Sequence, residues 1–492
     1  MNKRIVQSVT AMILLALPVC AQNPAQSAPP RLPDAPYVQR DFVLPANPRA
    51  GALPQPHVQL TEDREYRLPE LIDIAERQHP ETRIAWETAR NAALGAGIAE
   101  SAYLPRVTAN VIGGYQGSTG HSSALGYTVN GSGHITGSVS ALSLEWLLFD
   151  FGGRKNIVGA ARDVSNASTI AFTGAHQRVI YAVTLAYYAY LAAALRRKTN
   201  ESALSNADKI EAAADARYKS GEGTVLETSQ THQLTAQSQL ALVQAQGAEQ
   251  DAYITLLAAM GLSPLNHIRI APVDSHPLSS DELTPVEQIV QSALERRPDV
   301  LEAYSTMRAS ESAIKAAEAQ NLPKIFLAGT GAYVSGQLDL TAIPPIAQQL
   351  PTFNISGNHW NSTILLGLTV PVFDGRVRAN NIQQAKNSSE RTKAALDEVR
   401  LNAVREVVSA QNSLRTGIAA NQAALALRSA AQTAYDAALD SYQQGVGTVT
   451  ASVTAQTQLL QAQQAADDAY INVLSAAASL AFATGALGSA PQ

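Results

Sequence analysis

Cysteine is nearly absent from this 492-residue chain, with Cys20 the only one. A disulfide framework, a Cys-rich zinc site and an iron–sulfur cluster are thereby excluded within one chain. Charge is sparse as well: Asp, Glu, Lys and Arg make up 16% of residues, against about 25% in ordinary soluble chains. The 36 basic and 41 acidic residues leave a formal net charge of −5, so no broad basic face attracts nucleic acid. Aromatics are only 5%. Beyond the N-terminus no stretch reaches the ~18 uninterrupted apolar residues of a membrane-spanning helix. The best candidate, 180–195, is broken by Thr184 and rich in Ala and Tyr. Catalytic signatures are missing too: there is no HExxH, no Walker loop and no GxSxG. The nine histidines have no metal-ligand spacing along the chain, and Asp150 and Asp467-Asp468 read as a turn and a helix face. No enzymatic activity, cofactor or metal is expected.

What is present begins with an export signal. Lys3 and Arg4 precede a short apolar stretch, 12–19, and Val19-Cys20-Ala21 supplies a signal-peptidase site. This predicts a signal peptide over 1–21. A second reading makes Cys20 a lipidated first residue, but Val19 stands where Gly, Ala or Ser is wanted, so cleavage after Ala21 is preferred. A Pro-rich arm follows, 22–60.

The rest of the chain repeats itself. Tyr218-Lys-Ser-Gly221-Glu-Gly223-Thr224-Val225 returns as Tyr442-Gln-Gln-Gly445-Val-Gly447-Thr448-Val449, an offset of 224. Phe149-Asp150 returns as Phe373-Asp374 at the same offset, each pair followed by a Gly-Arg read as Gly153-Arg154 and Gly375-Arg376. Upstream, His79-Pro80 and Leu104-Pro105 match Arg297-Pro298 and Leu322-Pro323 at an offset of 218. The chain is thus read as two copies of one unit, 61–264 and 283–488, joined by a linker, 265–282.

Each copy has the same expected order. An Ala-rich helix (67–104, 285–322) ends at a proline. Two strands follow, 106–117 with 133–149 and 324–337 with 361–373, rich in Val, Ile, Thr, Tyr and Gly. Polar loops, 121–132 and 338–357, join them. A very long helix then runs over 154–219 or 376–443, roughly 100 Å at 1.5 Å per residue. Gly-x-Gly stops it and a return helix runs to Gly261 or Gly485. The long helix has two apolar seams, one through Ile180, Val183, Tyr187 and Tyr190, the other through Thr184, Tyr188, Leu191 and Leu195. Two seams fit a wall of helices with a neighbour on each side. The strands are long enough to cross a bilayer at a tilt, and Tyr115, Tyr127, Trp146 and Trp360 lie near their ends, where interfacial aromatics belong. Four strands cannot close a barrel, and an open edge is not viable in lipid. Two, three or four copies would give 8, 12 or 16 strands, and strand number alone does not choose.

This order of landmarks over about 60–488 resembles the TolC-like outer-membrane efflux proteins. The resemblance implies a mainly α fold with a membrane β part: a trimer forming a 12-stranded outer-membrane β-barrel on a long periplasmic α-helical barrel. It implies an outer-membrane channel of a tripartite system, a passive duct for drugs, toxic small molecules or metal ions. Its partners would be a periplasmic adaptor, an inner-membrane transporter and outer-membrane lipid. The outer-membrane component of a type I protein secretion system is one alternative; a periplasmic coiled-coil structural or adaptor protein is another. By position, the family's adaptor-docking tips fall on Tyr218, Gly221, Gly223, Thr224 and Val225, and on Tyr442, Gly445, Gly447, Thr448 and Val449. The family's acidic aperture positions fall on Ala451 and Thr454, which are not acidic, so Glu222 and Glu227 of the first copy are the remaining acidic candidates for the mouth.

Overall fold

The computed structural model describes residues 64–124, 127–271, 285–340 and 353–487, all within the unit Pro56–Gln492. The signal peptide with Cys20, the arm 22–60 and most of the linker 265–282 lie outside the described residues.

Prolines divide the first helix of each copy. Single helices are expected over 67–104 and 285–322; instead α1 (Leu68–Gln78) and α2 (Pro80–Glu100) form in the first copy. In the second copy, α5 (Val286–Arg296) is followed by α6 (Pro298–Glu318). The residue before a proline is pushed out of the helical region, and His79 and Arg297 are accordingly extended, with ψ of 126° and 127°. His79 then starts the next helix, its Nδ1 accepting from the Glu81 amide at 3.2 Å. The break lets α1 leave the line of α2. Its Leu71, Ile74 and Ala75 enter the largest apolar cluster, with Val183, Tyr187, Leu256, Leu257 and Met260. Beside it a short parallel ladder joins β1 (Glu65–Tyr66) to β4 (Arg269–Ile270).

The two long helices, α3 (Gly153–Lys219) and α7 (Val377–Gln443), have 67 residues each. The return helices are α4 (Val225–Ala259) and α8 (Val449–Ala483). By composition alone α3 holds a stretch apolar enough to cross a membrane. Its Val179, Val183, Tyr187 and Leu191 instead pack in the cluster with α1 and α4. Helix neighbours form a row. Nearer the strands the order is α2, α3, α6, α7; nearer the tips it is α4, α3, α8, α7.

The strands repeat that order. β2 (Arg106–Ala124), β3 (Tyr127–Phe149), β5 (Lys324–Leu340) and β7 (His359–Thr369) form one antiparallel sheet, β2-β3-β5-β7. The short β6 (Phe353–Ser356) pairs with the far end of β5 in the register that β7 continues, so β6 and β7 act as one strand interrupted at Gly357. Several expected bounds change. The first hairpin has unbroken pairing from Arg106↔Glu145 to Ala124↔Tyr127, so most of the expected loop 121–132 is strand. Polarity marks a solvated strand as readily as a loop when every backbone group has a partner. In the second copy 338–340 and 353–356 are strand rather than loop, and β7 stops at Thr369 rather than 373. Pro371, which lacks an N–H, lies just beyond.

Register assigns the faces. Val107, Ala109, Val111, Leu142, Leu144, Trp146, Leu327, Ile364, Leu366 and Leu368 share one face, with Tyr115, Tyr333 and Trp360 farther along it. Ile364 is 80% and Leu366 71% exposed. From Trp146 to Thr136, opposite Tyr115, is ten residues of β3. That is about 34 Å of strand, or about 24 Å of height at a tilt near 45°. This matches the apolar band of an outer-membrane barrel, with aromatics at both borders. The other face carries Arg106, Thr108, Asn110, Glu145, Ser143, Thr330 and Thr363. On that face Gly114, Gly137, Gly336 and Gly357 stand side by side across all the strands. Gly336 has φ 95°, and a Cβ there would lie 2.2 Å from the Thr136 carbonyl oxygen.

The turn from strand to helix rests on an aspartate and an arginine. Asp150 accepts from the Arg154 amide at 2.6 Å. The buried Arg154 guanidinium donates to the carbonyls of Ala102, Leu147 and Leu148 at 3.1, 2.6 and 3.0 Å. In the second copy Asp374 accepts from the Arg378 amide at 3.0 Å, and Arg378 donates to the Pro371 carbonyl at 3.0 Å. The counterpart of Arg154 is therefore Arg378, not the expected Arg376, and the offset of 224 holds here without a length change. Arg376 occupies the place of Gly152, and both are left-handed, with φ of 74° and 94°.

Face assignment gives a direct test. Ile364→Arg, near the middle of the apolar band, is expected to cost about 2–4 kcal/mol of membrane-inserted stability. Thr363→Arg, on the opposite face, should insert like the parent. Heat-modifiable migration of outer-membrane fractions reads the folded share; equal loss for both, or tolerance of Arg at 364, contradicts the assignment.

Candidate functional site

The two helix reversals are built alike. In the first, the amides of Glu222 and Gly223 both donate to the Arg217 carbonyl at 2.9 Å, and Gly221 has φ 81°. In the second, Val446 and Gly447 donate to the Ser441 carbonyl at 3.0 and 2.9 Å, and Gly445 has φ 79°. These bonds satisfy the last carbonyls of α3 and α7 through a left-handed glycine. The glycines are not equivalent. A Cβ at Gly223 would lie 2.7 Å from the Tyr218 nitrogen, and one at Gly447 2.9 Å from the Tyr442 nitrogen. At Gly221 it would meet nothing within 4 Å, and at Gly445 only the Arg217 guanidinium at 3.3 Å. Thr224 and Thr448 cap the return helices, each hydroxyl accepting from the amide three residues on, Glu227 or Ala451, at 3.2 Å.

The two tips differ in what covers them. Tyr442 and Val449 are 1% and 4% exposed and pack with Ile210, Ala214, Tyr435, Ala455 and Leu459. Their counterparts Tyr218 and Val225 are 49% and 63% exposed, and Leu226 beside them is exposed too. The first tip therefore presents the broader apolar surface, while the second buries Tyr442 and Val449 and leaves Val446, 81% exposed, at its apex. Burial pushes the Tyr435 phenol up to about 12.

One side chain ties the tips together. Arg217 donates from Nη1 to the Tyr442 carbonyl at 3.0 Å and lies over the Tyr442 ring, 5.1 Å from its centre. Glu227 is half-buried; its Oε2 and the Tyr442 hydroxyl are both buried without a hydrogen-bond partner. Burial raises the Tyr442 pKa, and the Glu227 charge raises it further. Of the acidic mouth candidates, Glu227 thus faces the second tip, while Glu222 is exposed. Ala451 and Thr454 are exposed on α8, and no hydrogen bond joins them to Glu222 or Glu227. Sequence reading passes over Arg217. Its signal lay in the repeat itself, since the residue at the matching place is Ser441.

Comparison with known proteins agrees with this geometry. A family model described as outer membrane efflux protein matches residues 71–262 and again 289–486. Protein CyaE of Bordetella pertussis is 27% identical over 400 residues, covering 80% of this chain and 79% of that protein. Outer membrane efflux protein BepC of Brucella suis is 28% identical over 394 residues, covering 79% and 78%. A crystal structure of a membrane protein from Pseudomonas aeruginosa shares the fold, with a TM-score of 0.71 at 24% identity over 88% of this chain and 98% of that one. With both halves of the chain matched, the protein belongs to the outer membrane efflux protein family.

Proposed function

We propose that three copies of this chain close into one duct through the outer membrane, and that the duct passes drugs, toxic small molecules or metal ions outward without catalysis. One observation carries the reading: the sheet order β2-β3-β5-β7 and the helix order α2-α3-α6-α7 run in parallel, and each ends on an element with no further neighbour among the described residues. An unpaired strand edge is not viable in lipid. The copy that covers the β2 edge with its β7 brings its α7 beside α2 in the same step. Three copies, the number the family resemblance implies, give twelve strands and a helical wall continuous with them. Mass measurement in detergent should find a trimer; a stable monomer sinks the reading.

In this reading the tips meet a periplasmic adaptor, which connects the duct to an inner-membrane transporter. The exposed Tyr218, Val225 and Leu226 of the first tip, with Val446 of the second, supply the apolar contact. Gly221 is the clean place to test it, because a side chain there meets no neighbour and carries only the left-handed backbone strain, about 1 kcal/mol. Gly221→Leu is expected to leave trimer and insertion intact while abolishing export and adaptor cross-linking. Gly223→Leu collides with backbone and should lower the trimer level itself. Normal export by Gly221→Leu removes the docking role.

The Arg217–Tyr442 contact holds the two hairpins together at the mouth. A charged hydrogen bond of this kind contributes about 1.5–3 kcal/mol, and the ring contact adds roughly 0.5–2 kcal/mol. Arg217→Ala should leave the trimer assembled, speed amide exchange over 442–449 and raise passage of bulky antibiotics across the outer membrane. Unchanged exchange and unchanged permeability together show that the contact does not restrain the mouth.

A further inference from the structure

Glu211 and Asp215 are four residues apart on α3 and so share a helix face. His232 comes from α4, the antiparallel partner across the first tip. One ligand atom from each lies within 4.8 Å of the other two. His232 Nδ1 sits 2.7 Å from Glu211 Oε1. Asp215 has no cationic partner among the described residues. Glu211 and Asp215 are half-buried and His232 is 61% exposed, so the group opens to solvent on one side. We propose that these three side chains bind a divalent cation of the zinc class, one per chain.

The donor set points to that class. One imidazole nitrogen and two carboxylate oxygens suit Zn²⁺, at about 2.0–2.2 Å from each, with water in the fourth position. An imidazole donor disfavours Mg²⁺ and Ca²⁺, which take oxygen ligands, and the absence of thiolate or thioether disfavours Cu(I). The internal repeat supplies a control. At the same offset of 224, the counterparts of Glu211, Asp215 and His232 are Tyr435, Leu439 and Gln456. Tyr435 is 3% and Gln456 2% exposed, and Tyr435 and Leu439 pack in the tip cluster. An equivalent place in the fold is therefore filled by neutral packing groups in one copy and by metal-binding groups in the other. General helix-pair geometry requires no charge here. The linear spacing of the histidines does not show the set, because two of its members are carboxylates on a different helix.

Such an ion joins the two limbs of the first hairpin just behind the exposed Tyr218 and Val225, so it stiffens the tip rather than supplying chemistry. The site stands independently of the duct reading, since it lies within one chain. The test uses the tag-free protein purified in detergent and titrated with ZnCl₂ against a chromogenic chelator, with limited proteolysis at the tip as a second readout. One Zn²⁺ per chain is expected, with proteolysis slowed on binding. His232→Ala and Asp215→Asn should each weaken binding at least tenfold, since loss of a ligand costs no less than loss of an outer-shell partner. Both should abolish the protection, while His176→Ala and excess MgCl₂ should change neither readout. No binding by the parent protein, or binding unchanged by His232→Ala, overturns the site. Binding without protection of the tip overturns the stiffening.

Discussion

Everything in this fold has to pass through the corner where strand becomes helix. Neighbouring strands are about 4.8 Å apart, and packed helices about 8–10 Å. A wall that keeps the same order in both parts must widen its spacing within a few residues. Arg154 occupies that place. It binds Ala102 on the chain entering the sheet, and Leu147 and Leu148 on the chain leaving it, while Asp150 fixes the first turn of α3. With its charge set against three carbonyls and a carboxylate, the arginine holds both arms of the corner at once. Arg378 does a lighter version, reaching Asp374 and the Pro371 carbonyl.

Duplication gave the chain two of each part, and the parts have since diverged in surface more than in backbone. Both tips use the same left-handed glycine and the same threonine cap. Yet one tyrosine of the matched pair is core and the other is half in solvent. Arg217, which stands where the other copy has the small Ser441, reaches from the first tip to the carbonyl and ring of Tyr442. A backbone repeated in both copies thus carries two tips of different surface, and the difference rests on a handful of side chains.

Much of this is legible in sequence because the repeat exposes it. The Tyr-x-x-Gly tips, the long uninterrupted helices and the Leu-Pro before each first strand are local signals, and the structure places them as local chemistry demands. Other features depended on partners that a linear reading does not see. Along the sequence the corner arginine of the second copy reads as Arg376, because a Gly-Arg pair looks alike in both copies; only its bonds identify Arg378. Pro80 and Pro298 fall within the single helices expected over 67–104 and 285–322, whereas the residue before each is forced out of the helix and divides it. β2, β3 and β5 run past their expected ends because serine, threonine and glycine resemble a loop until a paired strand lies beside them, while β7 stops short of 373, before Pro371. Arg217 shows in the sequence only as a mismatch with Ser441 of the other copy, and Glu227 only as an acidic residue near the tip; both act through Tyr442, more than two hundred positions away.

The row of Gly114, Gly137, Gly336 and Gly357 has a consequence for the pore. These residues share the polar face of the sheet, close to the far border of the apolar band. In a closed barrel that face looks inward. Residues paired across a sheet lie perpendicular to the strands, so at a tilt near 45° the row climbs roughly 3.4 Å per strand, or about 10 Å over three steps. The glycines therefore form a slanting groove of bare main chain up the inner wall rather than a ring, once in each copy.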